Sequence, residues 1–249
     1  MVTTAILSAL AEEQQGLIEQ LQNPQRIQRA GRDFWQGQFH GHNVVLAMSR
    51  IGKVAAATTA TTLVEAFDVR RIVFTGVAGG LGDGVNVGDV VVGSGFVQHD
   101  MDASPLFPRY QIPLYGRSLF HSDLVLTATL LEAAQAYLER APGTFGLKKV
   151  HQGLIVSGDR FVSATAEAKA LQEALQAAGL NPLAVEMEGA AVAQVCHDYG
   201  IPFAAVRTIS DRADDEARVD FPKFVSEVAS QYAMAIIDGF MRRLPAARS

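Results

Sequence analysis

The sequence predicts an α/β fold, with a largely parallel sheet covered by helices on both faces. Three observations predict it. Short apolar runs rich in β-branched residues alternate with segments of helical spacing along the whole chain, which is the pattern of a βα series. The 249 residues are 49% hydrophobic and 19% charged with no linker-like break, enough for one large core, so residues 1–249 read as one domain. Acidic residues and glycines gather just after the predicted strand ends, where ligands bind in open parallel sheets.

The elements follow in order. Residues 3–9 (TTAILSA) predict a strand, and the helical spacing of EEQQGLIEQLQ starts a helix at about Ala11. Residues 34–39 and 43–49 read as a hairpin and 52–67 as a helix. RIVFTG (71–76) is a buried strand ending in the glycine-rich GVAGGLGDG, and VGDVVVGSG (87–95) is another strand. Residues 97–117, containing PLFPRYQIPLYG, have no period and predict a long surface excursion, a kind of loop that is usually functional. Helix 122–140, strand 149–157, helix 165–178, strand 183–186, helix 188–199, strand 203–209 and helix 222–243 complete the series.

Composition narrows the partner. A formal charge of −5 argues against nucleic acid or an anionic membrane, either of which favours a basic face. No window of about 18 apolar residues offers a membrane span. The single cysteine, Cys196, has no intrachain partner for a disulfide, and the first residues lack a basic stretch ahead of their apolar run. A cytoplasmic location and a small-molecule partner are expected.

The segment AVEMEGAAVAQVC (184–196) is mostly small or apolar yet carries Glu186 and Glu188. Burying an unpaired carboxylate costs several kcal/mol, so both require a purpose. Glu188 has the ordinary excuse of an acid at a helix start, as do Glu12 and Glu13; Glu186, inside the strand-like run, has less. Arg207 lies within the apolar FAAVRTIS and needs a carboxylate or a ligand, with Glu186, Glu188 and Glu13 as candidates. Ser210 and Asp211 read either as an N-cap or as site residues. The glycines of 76–84 do not fit the dinucleotide fingerprint, and IGKVAA is not a phosphate-binding loop. They serve either a tight turn needing positive φ or a ligand that approaches the backbone. Histidine spacing suggests no metal site, and no cofactor is assigned.

Seven collinear blocks then carry a resemblance: AILSALAEEQ, SRIGKVAAA, FTGVAGGL, VGDVVV, GLIVSGDRFV, AVEMEGAAVAQVC and PFAAVRTISDRAD. Along nearly its whole length the chain resembles the 5′-methylthioadenosine/S-adenosylhomocysteine nucleosidases of the nucleoside phosphorylase superfamily. The resemblance implies a three-layer α/β/α sandwich around a mixed, largely parallel sheet, a purine nucleoside substrate, and hydrolysis of its N-glycosidic bond. It makes Asp211 the acid that protonates the purine at N7 and Glu13, rather than Glu12, the base for the attacking water, with Glu186 and Arg207 in support. It gives Glu188 to the ribose hydroxyls, Met187 to the ribose, and Phe161, Val162, Ala78 and Gly79 to the purine. Ser210 joins this binding set, and Ile51 and Phe221 the apolar 5′ pocket. Part of that pocket crosses a dimer interface in the family, so a homodimer is expected.

Three departures stand beside the matches. Val77 occupies a position where the family often has serine, Arg50 one where it usually has glycine, and ASPLFPRYQIPLYG differs from the family's usual version. A phosphorylase is the near rival, but an acidic pair at Glu12 and Glu13 repels phosphate and favours water. A binding protein without catalysis is the rival from another class, and the full set of acids argues against it.

Overall fold

The computed structural model describes residues 2–140 and 148–245, except the side chains of residues 15, 218–220, 226 and 227. Ten strands and seven α-helices alternate through these residues: β1 (Thr3–Ser8), α1 (Ala11–Glu19), β2 (Gln22–Arg29), β3 (Arg32–Phe39), β4 (His42–Met48), α2 (Lys53–Phe67), β5 (Val69–Gly80) and β6 (Val90–Gln98). There follow β7 (Leu119–His121), α3 (Leu124–Leu138), β8 (Val150–Ser157), α4 (Thr165–Ala177), β9 (Pro182–Glu186), α5 (Gly189–Tyr199), β10 (Phe203–Asp211), α6 (Ala217–Phe224) and α7 (Ser230–Arg243).

The sheet differs from expectation in two ways. It is mixed, but not largely parallel. β1 pairs in parallel with β4 and β5, β5 with β10, and β8 with β6 and β9, while β2–β3, β3–β4, β5–β9, β6–β7 and β6–β10 are antiparallel. It also curls on itself: β10 bonds both β5 and β6, and β6, β8, β9 and β5 complete a closed ring, from which β1, β4, β3 and β2 extend as an arm. Strand alternation with helices reveals which segments are strands, whereas closure depends on twist and long-range pairing that no local pattern encodes.

Two cores flank the sheet. One gathers Phe34, Phe74 and Phe96 against the small residues Ala56 and Ala60 of α2 and Ala190 and Ala193 of α5, which let these two helices lie close together. The other joins Leu17 of α1, Leu126 and Leu130 of α3, and Ile236 and Phe240 of α7 to Ile6, Leu46 and Val206 of the sheet. A smaller cluster seats Leu175 of α4 and Tyr110 beside Val97, Val156 and Val185.

Other boundaries also shift. The glycine-rich segment is not a loop through Gly80: β5 runs on to that residue, and none of Gly76, Gly79, Gly80 and Gly82 has positive φ. Asp211 is likewise a strand residue, because β10 runs two residues past the expected end at 209, while Arg207 lies inside the strand as expected. β2 is absent from the sequence-based series because QNPQRIQR is polar and exposed throughout, with only Ile27 half-buried, as suits an outermost strand carrying a proline. Helix 222–243 begins earlier, at Ala217, with Pro222 inside its first segment and a π-helical turn at Val225–Ala229. Within the excursion, Val97 and Gln98 belong to β6, and Tyr110 and Ile112 are buried anchors for the irregular remainder.

Candidate active site

The parallel strands β1, β4, β5 and β10 present their carboxyl ends on one side, and a cavity of about 470 Å³ opens there. All thirteen residues singled out by sequence line it: Glu13, Asp211, Arg207, Glu186, Gly79, Ala78, Phe161, Val162, Met187, Glu188, Ser210, Ile51 and Phe221. Gly76, noted in the glycine-rich segment, and Val77, noted as a departure, also line it, as do Ala9, Leu10, Phe74, Arg160, Val185 and Pro222, which the sequence did not mark. Most of these are apolar or small residues, which carry no signal of their own beyond adjacency to residues that do.

Glu13 occupies the third helical position of α1, and only 2% of it is exposed, whereas Glu12 faces outward. Its Oε2 accepts the N–H groups of Ala9 (2.8 Å) and the N-cap residue Leu10 (2.9 Å), while Oε1 accepts the Val77 N–H at 3.1 Å. The first two bonds satisfy donors that a helix start leaves open. Burial nevertheless raises the Glu13 pKa above the ordinary carboxylate value, against the lowering by these donors and by the Arg207 charge.

The glycines serve this approach. A Cβ at Gly76 would stand 3.0 Å from Glu13 Oε1, and one at Gly79 would stand 3.0 Å from Asp211 Oδ1. Close passage of carboxylates over bare backbone, not turn geometry, is what these two positions require. The side chain at position 77 contributes nothing to the bond that its own N–H makes, so valine there leaves the Glu13 contact intact.

Asp211, 1% exposed, closes β10. Its Oδ2 accepts the Ser210 hydroxyl at 2.8 Å and its Oδ1 the Ala213 N–H at 2.9 Å. Ser210 Oγ also lies 3.4 Å from the Ala78 carbonyl, so this hydroxyl braces the aspartate against β5.

Arg207 finds its carboxylate in Glu186, Nη2 to Oε2 at 2.8 Å, both groups being almost wholly buried. Its Nη1 donates to the carbonyls of Phe74 and Val206, and its guanidinium lies 4.2 Å over the Phe74 ring. Glu186 is fully engaged: it accepts from the N–H groups of Gly189 and Glu188, from the Ser157 hydroxyl and from Arg207. Such a network satisfies a buried ion pair that desolvation would otherwise make costly.

Glu188 is 5% exposed, and its Oε1 accepts the Gly52 N–H at 2.8 Å. Burial, then the neighbouring negative charge of Glu186, pushes its pKa up to about 8. Glu186 and Glu188, one methionine apart in sequence, therefore differ in kind: the first is neutralised by an arginine, the second is driven toward its protonated form.

The mouth is apolar. Phe161 and Phe221 meet edge to face with centroids 5.5 Å apart, and Ile51 is 56% exposed. Among the described residues no group of three or more His, Cys, Asp and Glu is placed to hold a metal ion, and no helix is long and apolar enough to cross a membrane.

The phosphorylase superfamily's sequence profile matches residues 3–242. A 5′-methylthioadenosine/S-adenosylhomocysteine nucleosidase of Chromohalobacter salexigens is 37% identical over 241 residues, covering 96% of this chain and 97% of its own. The chain belongs to the 5′-methylthioadenosine/S-adenosylhomocysteine nucleosidase family of the phosphorylase superfamily. Solved structures of that family agree: the Neisseria meningitidis nucleosidase in complex with methylthio-immucillin-A superposes with a TM-score of 0.89 at 33% identity, covering 98% of this chain and all of the other. Futalosine hydrolase of Helicobacter pylori superposes with a TM-score of 0.86 at 31% identity, covering 98% of each chain.

Proposed function

We propose that the protein hydrolyses the N-glycosidic bond of 5′-methylthioadenosine and S-adenosylhomocysteine, releasing adenine and a 5-thioribose product. The observation that carries this reading is the placement of two buried carboxyl groups, Glu13 and Asp211, around one cavity between an apolar mouth and a charged floor.

A purine anion leaves poorly, so the base must be protonated as its bond to the sugar breaks. Asp211 gives that proton to N7, with Ser210 holding the carboxyl in place. Positive charge then develops on the ribose, and a water on the opposite face attacks the anomeric carbon. Glu13 takes the proton of that water. A base works best with a pKa near the working pH, and burial moves Glu13 in that direction. The Glu186–Arg207 pair fixes the floor on which the water rests. Glu188 accepts the vicinal ribose hydroxyls, and in its charged form it also favours the cationic sugar. Phe161 stacks on the purine, the Val162 backbone reads its edge, Ala78 and Gly79 line its plane, Met187 packs on the ribose, and Ile51 and Phe221 bound the 5′ substituent.

The whole chain acts as one domain, and helices divided between two cores support a three-layer sandwich. Exposed Ile51 and Val54 at the start of α2, with Leu106 and Leu114 of the excursion, favour a homodimer that covers the mouth. A cytoplasmic site of action is in keeping with the single buried, unpaired cysteine.

The test is adenine release in phosphate-free buffer from methylthioadenosine, S-adenosylhomocysteine and 6-amino-6-deoxyfutalosine. Release from the first two without phosphate is the expected result; a requirement for phosphate makes the protein a phosphorylase instead. Preference for the third assigns it to the futalosine branch, since this chain resembles the Helicobacter pylori futalosine hydrolase to a similar degree.

A further inference from the structure

A second cavity, of about 320 Å³, lies between α1 and the strands β3 and β4. Residues Ala11, Gln14 and Ile18 line it from one stripe of α1, and Arg32, Trp35 and Arg50 from the other side. We propose that this cavity is a second ligand site, for a small carboxylate with an apolar body, separate from the reaction assigned above.

The polar atoms here are unusually idle. Gln14 is only 7% exposed, and its Nε2 has no hydrogen-bond partner among the described residues; the same holds for Arg32 Nε and Asp33 Oδ1. Leaving one buried donor unsatisfied costs on the order of 1–3 kcal/mol, and this cavity gathers two. The cations are equally uncompensated. Among the described residues, Arg32 reaches the carbonyls of Ala30 and Ala55, Arg50 reaches that of Gly31 at 2.6 Å, and neither has a carboxylate within 4.0 Å. Burial, and next the charge of Arg50, lowers the pKa of the Arg32 guanidinium from its ordinary value. An anion seated between these groups would supply what both arginines and the Gln14 amide lack.

The rest of the lining selects among anions. Trp35, Ile18 and Met48 form an apolar wall, which suits a ligand with a hydrocarbon body. Asp33 lines the cavity while its Oδ2 is occupied by Arg26 at 2.7 Å. A doubly charged oxyanion such as phosphate meets that negative group at a disadvantage that a singly charged carboxylate meets less.

Trp35 is the single tryptophan of the chain and lines this cavity but not the one holding the acids, so its fluorescence and its indole N–H resonance place the reporter at this site. The experiment titrates the full-length protein with benzoate, with benzylamine as the same body bearing the opposite charge and with inorganic phosphate. A saturable change with benzoate, none with benzylamine and a weaker response to phosphate is expected. Arg32→Gln and Gln14→Leu, read separately after a circular-dichroism check of folding, should each weaken benzoate binding about tenfold, the scale of a lost charged hydrogen bond. No saturable change with benzoate, a response undiminished in both variants, or phosphate binding as tightly as benzoate would overturn the proposal.

Discussion

Asp211 and Glu13 are both buried carboxyl groups lining one cavity, and the roles proposed for them require opposite proton transfers. Asp211→Asn keeps the shape and the Ser210 contact but has no proton to give. Adenine release should fall to background while methylthioadenosine still binds, as calorimetry would show; near-normal turnover would remove Asp211 from the mechanism. Glu13→Gln should be as damaging, and Glu12→Gln nearly silent, since Glu12 faces outward and only Glu13 lies against Val77; steady-state rates of the pair decide between them. Glu188 behaves differently with pH. Its folded pKa of about 8 lies above the ordinary 4.5, so between those values the native state binds more protons than the unfolded chain. Its contribution to stability is therefore full at low pH and declines as pH rises toward 8. In Glu188→Gln, urea denaturation midpoints should lose this decline between pH 5 and 8. By the same reasoning, the affinity lost in that variant should grow with pH, reaching about 1–3 kcal/mol where the wild-type group is charged.

At the level of elements, the strands and helices that alternate in hydrophobic pattern were legible, because burial on a sheet face or helix stripe writes itself into periodicity. The site was legible through the residues that break that pattern: Arg207 and Glu186 stand out as charges in apolar runs, and they prove to be each other's partner. The purpose of the glycines was not legible. Gly76 and Gly79 lie in extended strand, and their need for a bare backbone comes from carboxylates 63 and 132 residues away, at Glu13 and Asp211, which no local pattern records. Gly79→Ala tests that account: the added methyl must displace Asp211 or Ala213, which would stand 3.0 and 3.1 Å from it. A tenfold or greater loss of kcat with the fold intact by circular dichroism is expected, whereas an unchanged kcat would show that the strand yields. Arg50 shows the reverse case. It holds φ at +64°, a region that costs an ordinary residue of order 1 kcal/mol, which accounts for the glycine usual at this position in the family.

For the molecule as a whole, the buried Arg207–Glu186 pair joins β10 to β9 beneath the cavity, so it bears on stability as well as chemistry. Arg207→Met removes one charge and strands the other among the N–H donors of α5. A loss of about 3–5 kcal/mol in unfolding free energy is expected by urea denaturation; a loss below 1 kcal/mol would mean that those donors alone stabilise Glu186. Curling of the sheet had no counterpart in the sequence pattern, and it carries a consequence for how this protein meets its neighbours. The hoop formed by β5, β10, β6, β8 and β9 has no seam into which a foreign strand could slip. Among the described residues, open strand edges are left at the three-residue β7, too short to template much pairing, and at the far fringe of the arm at β2, where Pro24 and the charges of Arg26 and Arg29 discourage accretion. Three strands stand between that fringe and the hoop, so crowding by other chains can tug at the arm without reaching the wall that holds Glu186, Arg207 and Asp211.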